Sequence, residues 1–307
     1  MASIAFFHVP CYINGIMKKI FISLLSSALV LSSTLAANKP WSAKNLSDAQ
    51  MLRIGDLIWQ NQSGQSANGI TAWVQEGPYQ YAEIGINQAL WYDADNPAPF
   101  AEDWPDMALY LKKHGFAIQD WMLGACPWSN ATDFAAAFDG DQLASLRAML
   151  STDDSVIAQT RFIAKRLDQS LPTMMALLSP DQATQLQNNF NLIAQQPLGF
   201  YTLIDYVNFK GEGTKQSEEA NGQGWGLMQV LEEMQLLHDQ NQAAPGYNAT
   251  PMEEFVAAAK ATLQRRIDNT KISNPALDLS QYWDTWCARL DTYLTDDQPA
   301  TDATQAQ

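Results

Sequence analysis

Apolar positions in "SDAQMLRIGDLIWQNQ", from Ser47 onward, recur at helical spacing, with Met51, Ile54, Leu57 and Ile58 on one face. Ser47 followed three residues later by Gln50 has the form of a capping box, so the pattern predicts a helix that opens at Ser47 and ends near Asn61. The pattern then changes. In "SGQSANGITAWVQEGPYQYAEIGINQALWY" glycines and prolines separate short runs rich in Ile, Val, Trp and Tyr, which predicts two or three small strands and the one convincing β region of the chain. Beyond Phe100 the spacing is helical, with start signals at Pro105, at Ser151 or Thr152, at Ser179-Pro180, and at Thr250-Pro251 with Glu253. About eight helical segments are expected there, the last capped by Ser280 and carrying Trp283, Trp286 and Leu290 on its apolar face.

One helix, a small β segment and then many helices with short connections predict an α+β fold that is mainly α, with the β segment forming a minor lobe against a cleft. There is no internal repeat of fixed period and no clear interdomain linker, so residues 37–294 read as a single domain. The end, "TDDQPATDATQAQ", is polar and is expected to be a disordered tail over 295–307. At the other end, Met17 with Lys18-Lys19, an apolar run from Ile20 to Leu31 and the small residues Thr34-Leu35-Ala36 predict a signal peptide cleaved near Ala36. Residues 1–16 are then an upstream extension, and the mature chain is expected in the periplasm or outside the cell. The apolar run is shorter than the roughly 20 residues a membrane span needs, and no membrane span is expected in the mature chain.

Charge narrows the partners. The 307 residues contain 18 Lys and Arg against 33 Asp and Glu; without the leader's two lysines the count is 16 against 33, a net of −17. Such a surface opposes nucleic acid and anionic membranes, and any glycan contact must come from local groove chemistry. Cys126 and Cys287 remain in the mature chain and either form one long-range disulfide or stay as two buried thiols. Neither the cysteine spacing nor the scattered histidines form a metal pattern, and no metal or cofactor is expected. Oligomeric state leaves no mark in the sequence.

The stretch "DYVNFKGEGTKQSEEANGQGWGLMQV" carries the most pointed chemistry. Glu212 stands between Gly211 and Gly213 at the end of one expected helix, where glycines permit unusual backbone geometry. A carboxyl group projected from there into an apolar cleft, with Tyr206, Phe209, Trp225 and Met228 as walls, would hold its proton near neutral pH and act as a general acid. An exposed glutamate in a turn between two helices is the alternative. The "GWGLMQV" element resembles the Gly-Leu-Met-Gln element of goose-type lysozymes and soluble lytic transglycosylases, in which a catalytic glutamate at a helix end precedes it by a short polar segment; here Glu212 lies 14 residues before Gly226.

A second resemblance lies nearer the N-terminus. "YAEIGINQALWY" is similar to a worn form of the Gly-Ile-Gly-His strand of phage-type lysozymes, where a preceding helix ends in the catalytic glutamate. The chain is also similar to a family of uncharacterised secreted bacterial proteins expected to carry Asn-Glu after the first helix, Gly-Ile-Gly-His in the strand, and "YVNFKGEG" to "GWGLLQVLE" later. Against that pattern Gln62 stands where the first glutamate would fall and Asn87-Gln88 replace Gly-His, so a relative's acid is lost at Gln62.

The resemblance implies a lysozyme-like helical domain that cleaves the β-1,4 bond of peptidoglycan, by hydrolysis or lytic transglycosylation, with Glu212 as general acid. Tyr206, Trp225, Met228, Gln229 and Trp73 would then lie against the sugars. A hydrolase needs a second carboxylate, for which Glu76, Glu83, Glu218, Glu219 and Asp205 are candidates. Trp91 and Trp104 also fall near the expected cleft, whereas Trp59, Trp283 and Trp286 have helical spacing and read as core. The competing reading, motivated by Gln62 and the lost Gly-His, is a catalytically inactive lysozyme-like protein that binds or blocks a glycan. A third is a secreted helical protein with a protein partner.

Overall fold

The computed structural model describes residues 42–76, 79–97 and 101–295. The expected leader over 1–36 and nearly all of the expected tail, from 296, lie outside the described residues.

The first helix, α1 (Asp48–Ser63), opens with the predicted capping box: Gln50 N–H donates to Ser47 Oγ at 3.3 Å, and Ser47 N–H to Gln50 Oε1 at 2.9 Å. It runs to Ser63 and stops at Gly64, whose φ of +62° ends the helical path while its N–H donates back to the Gln60 carbonyl. Three antiparallel strands follow, β1 (Thr71–Glu76), β2 (Tyr79–Ile84) and β3 (Ala89–Trp91), paired in the order β1-β2-β3. In the second pairing Glu83 stands opposite Leu90 and Ile84 opposite Ala89, so the tight connection Gly85–Gln88 projects from one end of the sheet.

The rest is helical: α2 (Trp104–Lys113), α3 (Ala131–Ala137), α4 (Asp141–Leu150), α5 (Asp153–Ala176), α6 (Pro180–Ala194), α7 (Gly199–Lys210), α8 (Leu227–Asn241), α9 (Pro251–Ser273) and α10 (Trp283–Asp291). The fold is therefore α+β and mainly α, as the pattern predicts. Thr152, Ser179 and Thr250 cap α5, α6 and α9 through their hydroxyl oxygens. Ser280 does not cap the last helix. It opens a 3-10 turn and spends its N–H and hydroxyl on Asp278, and α10 starts three residues later. A second, two-stranded ribbon, β4 (Glu219–Ala220) with β5 (Gln223–Gly224), lies in the segment read as a polar spacer; Asn221-Gly222, both at positive φ, make its turn.

Helix α5 packs against α1, α2, α6 and α7. Its contact with α1 depends on Gly55, where any Cβ would collide with the Thr160 and Val156 side chains. Trp91 and Trp104 are fully buried, and each spends its indole N–H on a backbone carbonyl: Gly124 for Trp91 and Met122 for Trp104. Their rings, 5.6 Å apart, belong to an aromatic core with Trp121 and Trp128, so neither reaches a cleft. Cys126 is buried and Cys287 half-buried on α10, and both are free, so no disulfide closes the chain. Burial in apolar surroundings pushes the Cys126 thiol up to about 12.

Candidate functional site

The segment from Gly211 to Gln229 folds into a clasp. As α7 ends, Gly211 (φ +85°) and Gly213 (φ +79°) turn the chain so that the carbonyls of Gly211 and Glu212 accept from Leu227 N–H and Met228 N–H, each at 3.0 Å. These are orphan donors of the first turn of α8, which a Gly226 N-cap has no side chain to satisfy. Gln229 completes the closure: its Oε1 accepts from Gly226 N–H and its Nε2 donates to the Gly213 carbonyl, both at 3.1 Å. A Cβ on Gly226 would collide with the backbone of Glu212 and Gly213, so the two glycine-rich ends of the motif need each other's shape. Glu218 accepts the N–H groups of Gly213 and Thr214 at 2.6 and 3.0 Å.

Glu212 is 7% exposed, and its carboxylate faces Arg166 of α5. Arg166 Nε donates to Oε1 at 2.5 Å and Nη2 to Oε2 at 3.0 Å, a bidentate pair; the Ser170 hydroxyl lies 3.2 Å from Oε1 and Lys215 Nζ 3.9 Å from Oε2. Burial alone would raise its pKa, but the Arg166 hydrogen bonds and charge outweigh it and hold the carboxyl at about 2. A group ionised throughout the neutral range has no proton to give. In this geometry Glu212 is an ion-paired strut and lacks the protonation a general acid needs.

An open groove lies elsewhere, between the sheet end, α1, α2, α5, α7 and α10. One part, of about 730 Å³, is bordered by the amides of Gln60, Asn61, Gln62, Asn87, Gln88 and Asn208, by Phe209 and Trp286, and by the acids Glu83 and Asp103. A second part, of about 590 Å³, adjoins it at Asn87, Asp103 and Asn208 and continues past Tyr110, Phe162, Lys113, Lys165 and Arg166. Each part falls within the range usual for small-ligand sites. Gln62, Asn87 and Gln88, the three departures from the lysozyme-like pattern, therefore meet in one place, although the chain separates Gln62 from the other two.

Local structure fixes these side chains. Gln159 of α5, fully buried, accepts Ile86 N–H at 3.0 Å and donates to the Leu150 carbonyl at 2.9 Å, which pins the Gly85–Gln88 turn. Gln88 is held at φ +53°, a strained conformation for a residue with a side chain. Gln62 Oε1 accepts from Arg289 Nη1 at 3.1 Å, and Arg289 is itself clamped on buried Asp205 by bonds of 3.0 and 2.6 Å, with Tyr293 OH donating to the same carboxylate at 2.6 Å. Asp205, offered from the sequence as a second acid, is thereby committed inside the protein. Asn87 Oδ1 and Asn208 Nδ2 are buried and have no hydrogen-bond partner among the described residues. Both residues border the groove, while these two atoms have no solvent-accessible surface of their own.

Asp103 sits where the two parts meet. It is the N-cap of α2 yet makes no capping bond, and its backbone N–H donates to the Leu90 carbonyl at 3.2 Å. Burial raises its pKa, opposed by the charges of Arg166 and Lys215 and aided by those of Asp106 and Glu212. No sequence signal marked it: an acid before Trp-Pro reads as a helix start, and its burial is set by distant elements.

The other candidates scatter. Tyr206 is fully buried and donates to the Trp225 carbonyl; Trp225 lies under the Arg266 guanidinium, 3.9 Å from its ring centre; Met228 packs against the core. Trp73 packs on Phe134. None of these borders the groove, and Gln229 is occupied by the clasp. Glu76 ends β1, Glu218 caps the turn after Gly213, and Glu219 is exposed in β4, leaving Glu83 as the one second-carboxylate candidate that the groove receives. Trp286, read as core, is both 7% exposed and part of the groove wall. Among the described residues no group of three or more His, Cys, Asp or Glu could hold a metal ion, and no helix is long and apolar enough to cross a membrane. No family model, curated protein or solved structure matches the chain.

Proposed function

We propose that this chain binds a β-1,4-linked, N-acetylated glycan of the peptidoglycan type in the groove between the sheet end and α10, and that Glu212 serves the fold and not the chemistry. The observation that carries the reading is the lining: six side-chain amides gathered on one groove beside Phe209 and Trp286. Amides donate and accept without charge, which suits sugar hydroxyls and acetamido groups. The resemblance to lysozyme-like proteins and the expected secretion of the chain point to the same class of ligand. Net negative charge turns the protein away from nucleic acids.

The test is binding of the protein to purified peptidoglycan and to soluble N-acetylated oligosaccharides, by sedimentation and calorimetry. Asn208→Ala and Asn87→Ala should each weaken binding about tenfold, the loss of roughly one hydrogen bond, whereas Glu212→Gln should leave it within a factor of three or so of the unaltered protein. Binding that survives both asparagine changes but vanishes with Glu212→Gln would place the site at the clasp and overturn the reading.

A further inference from the structure

We propose that the part of the groove walled by α2 and α5 receives a carboxylate-bearing substituent of the glycan, a stem peptide of peptidoglycan, so that the protein distinguishes a substituted chain from a bare one. This rests on the reading of the adjoining amide-lined part as the glycan site and names which N-acetylated glycan that site takes.

The chain has 18 Lys and Arg against 33 Asp and Glu, so a cation readily finds an acid beside it. Lys112, Arg161, Lys260 and Arg265 each hold a carboxylate at 3.1 Å or less. Lys113 and Lys165 do not. Neither makes an ion pair or hydrogen bond among the described residues, and both border the cavity of about 590 Å³, one from α2 and the other from α5. Arg166 adds a third donor to the same wall: it spends Nε and Nη2 on Glu212 and keeps Nη1 without a partner among the described residues. In a mostly acidic protein, two ammonium groups and a guanidinium with an open nitrogen on one cavity are complementary to an anion.

Placement agrees with charge. The rings of Tyr110 and Phe162 lie 5.5 Å apart between the two helices, and each lysine stands three residues beyond one of them, Lys113 on α2 and Lys165 on α5. Positions three apart share a helix face, and helical side chains lean toward their own N-terminus, so both ammonium groups are directed back toward the ring pair. An anion over the rings is then met from both walls. The acids of the cavity stand at its other end: Asp103 and Asp106 open α2, and Lys113 lies in its last turn, about 10 Å along the axis from Asp106. The cavity joins the amide-lined part at Asn87, Asp103 and Asn208, so a branch leaving a sugar held there enters at the acidic end and reaches Lys113 last. A stem peptide has that polarity, because its terminal carboxylates lie away from the sugar. A bare neutral chain offers the lysines nothing to pair with.

The experiment measures, by calorimetry on the full chain, the binding of three soluble probes with the same number of sugars. One is a peptidoglycan fragment whose stem peptides end in free carboxylates, the second is that fragment with its peptides removed by an amidase, and the third is an oligomer of N-acetylglucosamine. The peptide-bearing fragment should bind about tenfold tighter than either bare chain, a margin of the size two partly exposed ion pairs supply, and the margin should fade at high salt. Lys113→Gln and Lys165→Gln should each reduce the margin about threefold, and the double variant should close it. Lys271→Gln, which removes the same charge at the exposed end of α9, should leave it intact. Neither groove lysine has a partner to lose among the described residues, so the variants keep the fold, which thermal melting checks. Equal binding of all three probes would overturn the substituent site and leave the glycan reading standing, whereas no binding of any probe would remove both. A margin that persists in the double variant, or that salt does not touch, would overturn the assignment to these lysines.

Discussion

Replacing Glu212 by glutamine separates a strut from an acid. In the folded protein Arg166 holds the carboxyl at about 2, against an ordinary 4.5. At about 1.4 kcal/mol for each unit, that difference corresponds to on the order of 3 kcal/mol of stability at pH 7. Arg166 is about one-third exposed, at 34% of its side chain, and solvent screening on that side brings the expectation to about 2 kcal/mol. The sign follows from the depressed pKa: the contribution is full above about pH 4.5 and fades as pH falls toward about 2. Urea unfolding of the unaltered protein and of Glu212→Gln should therefore differ by about 2 kcal/mol at pH 7 and by roughly 1 kcal/mol less at pH 3.5. A stability gap independent of pH would refute the ion-pair account. So would an NMR titration of the Glu212 carboxyl with a midpoint near 6, the value to which enzymes tune a glutamic acid that donates protons.

Three further outcomes follow from contacts elsewhere in the protein. Gly226→Ala should leave little folded protein, since its methyl group meets backbone on the far side of the clasp, whereas Gly64→Ala, with φ +62° but open space around it, should cost about 1 kcal/mol; circular-dichroism melting distinguishes the two. Arg289→Met should destabilise the protein by about 3 to 5 kcal/mol in urea unfolding, because it strands fully buried Asp205 with only the Tyr293 hydroxyl. In the native state a thiol reagent should add to half-buried Cys287 before Cys126, which should react only on unfolding; mass spectrometry that finds the reverse order would contradict the burial of Cys126.

What could be read from the chain was local. The capping box of α1, the starts of α6 and α9, the strands on either side of residues 77–78 and the two helices that flank the clasp follow from residues within a few positions of one another. Even the ribbon β4–β5 had a local mark in Asn221-Gly222, lost inside a segment read only as polar. The chemistry of Glu212 did not follow, because its decisive partner, Arg166, comes from a different helix 46 residues away. Asp103 was hidden for the same reason: its sequence neighbours describe a helix start, and only the fold places it on one groove with the Gly85–Gln88 turn and with residues of α5 and α7. Gln62, by contrast, was found through a comparison of patterns and does face the groove.

The amide at Gln62 has a physical rationale in this chain. Arg289 is already neutralised by Asp205, through two hydrogen bonds, so the single bond from Nη1 to Gln62 needs an acceptor but not a second anion. A glutamate at 62 would add another carboxylate to a groove bordered by Glu83, Asp103 and Asp106, raising the cost of ionising any of them. The two conspicuous motifs thus act on the groove indirectly. Asp205 and Arg289 orient Gln62 on one side, and Glu212 holds Arg166 on the other; each buried acid absorbs the charge of an arginine that reaches the groove wall. On this account the Gly-Glu-Gly to Gly-Trp-Gly-Leu-Met-Gln element matters for the arginine it neutralises at the groove wall, and losing Glu212, whose charge raises the pKa of Asp103, should lower the pH at which Asp103 ionises.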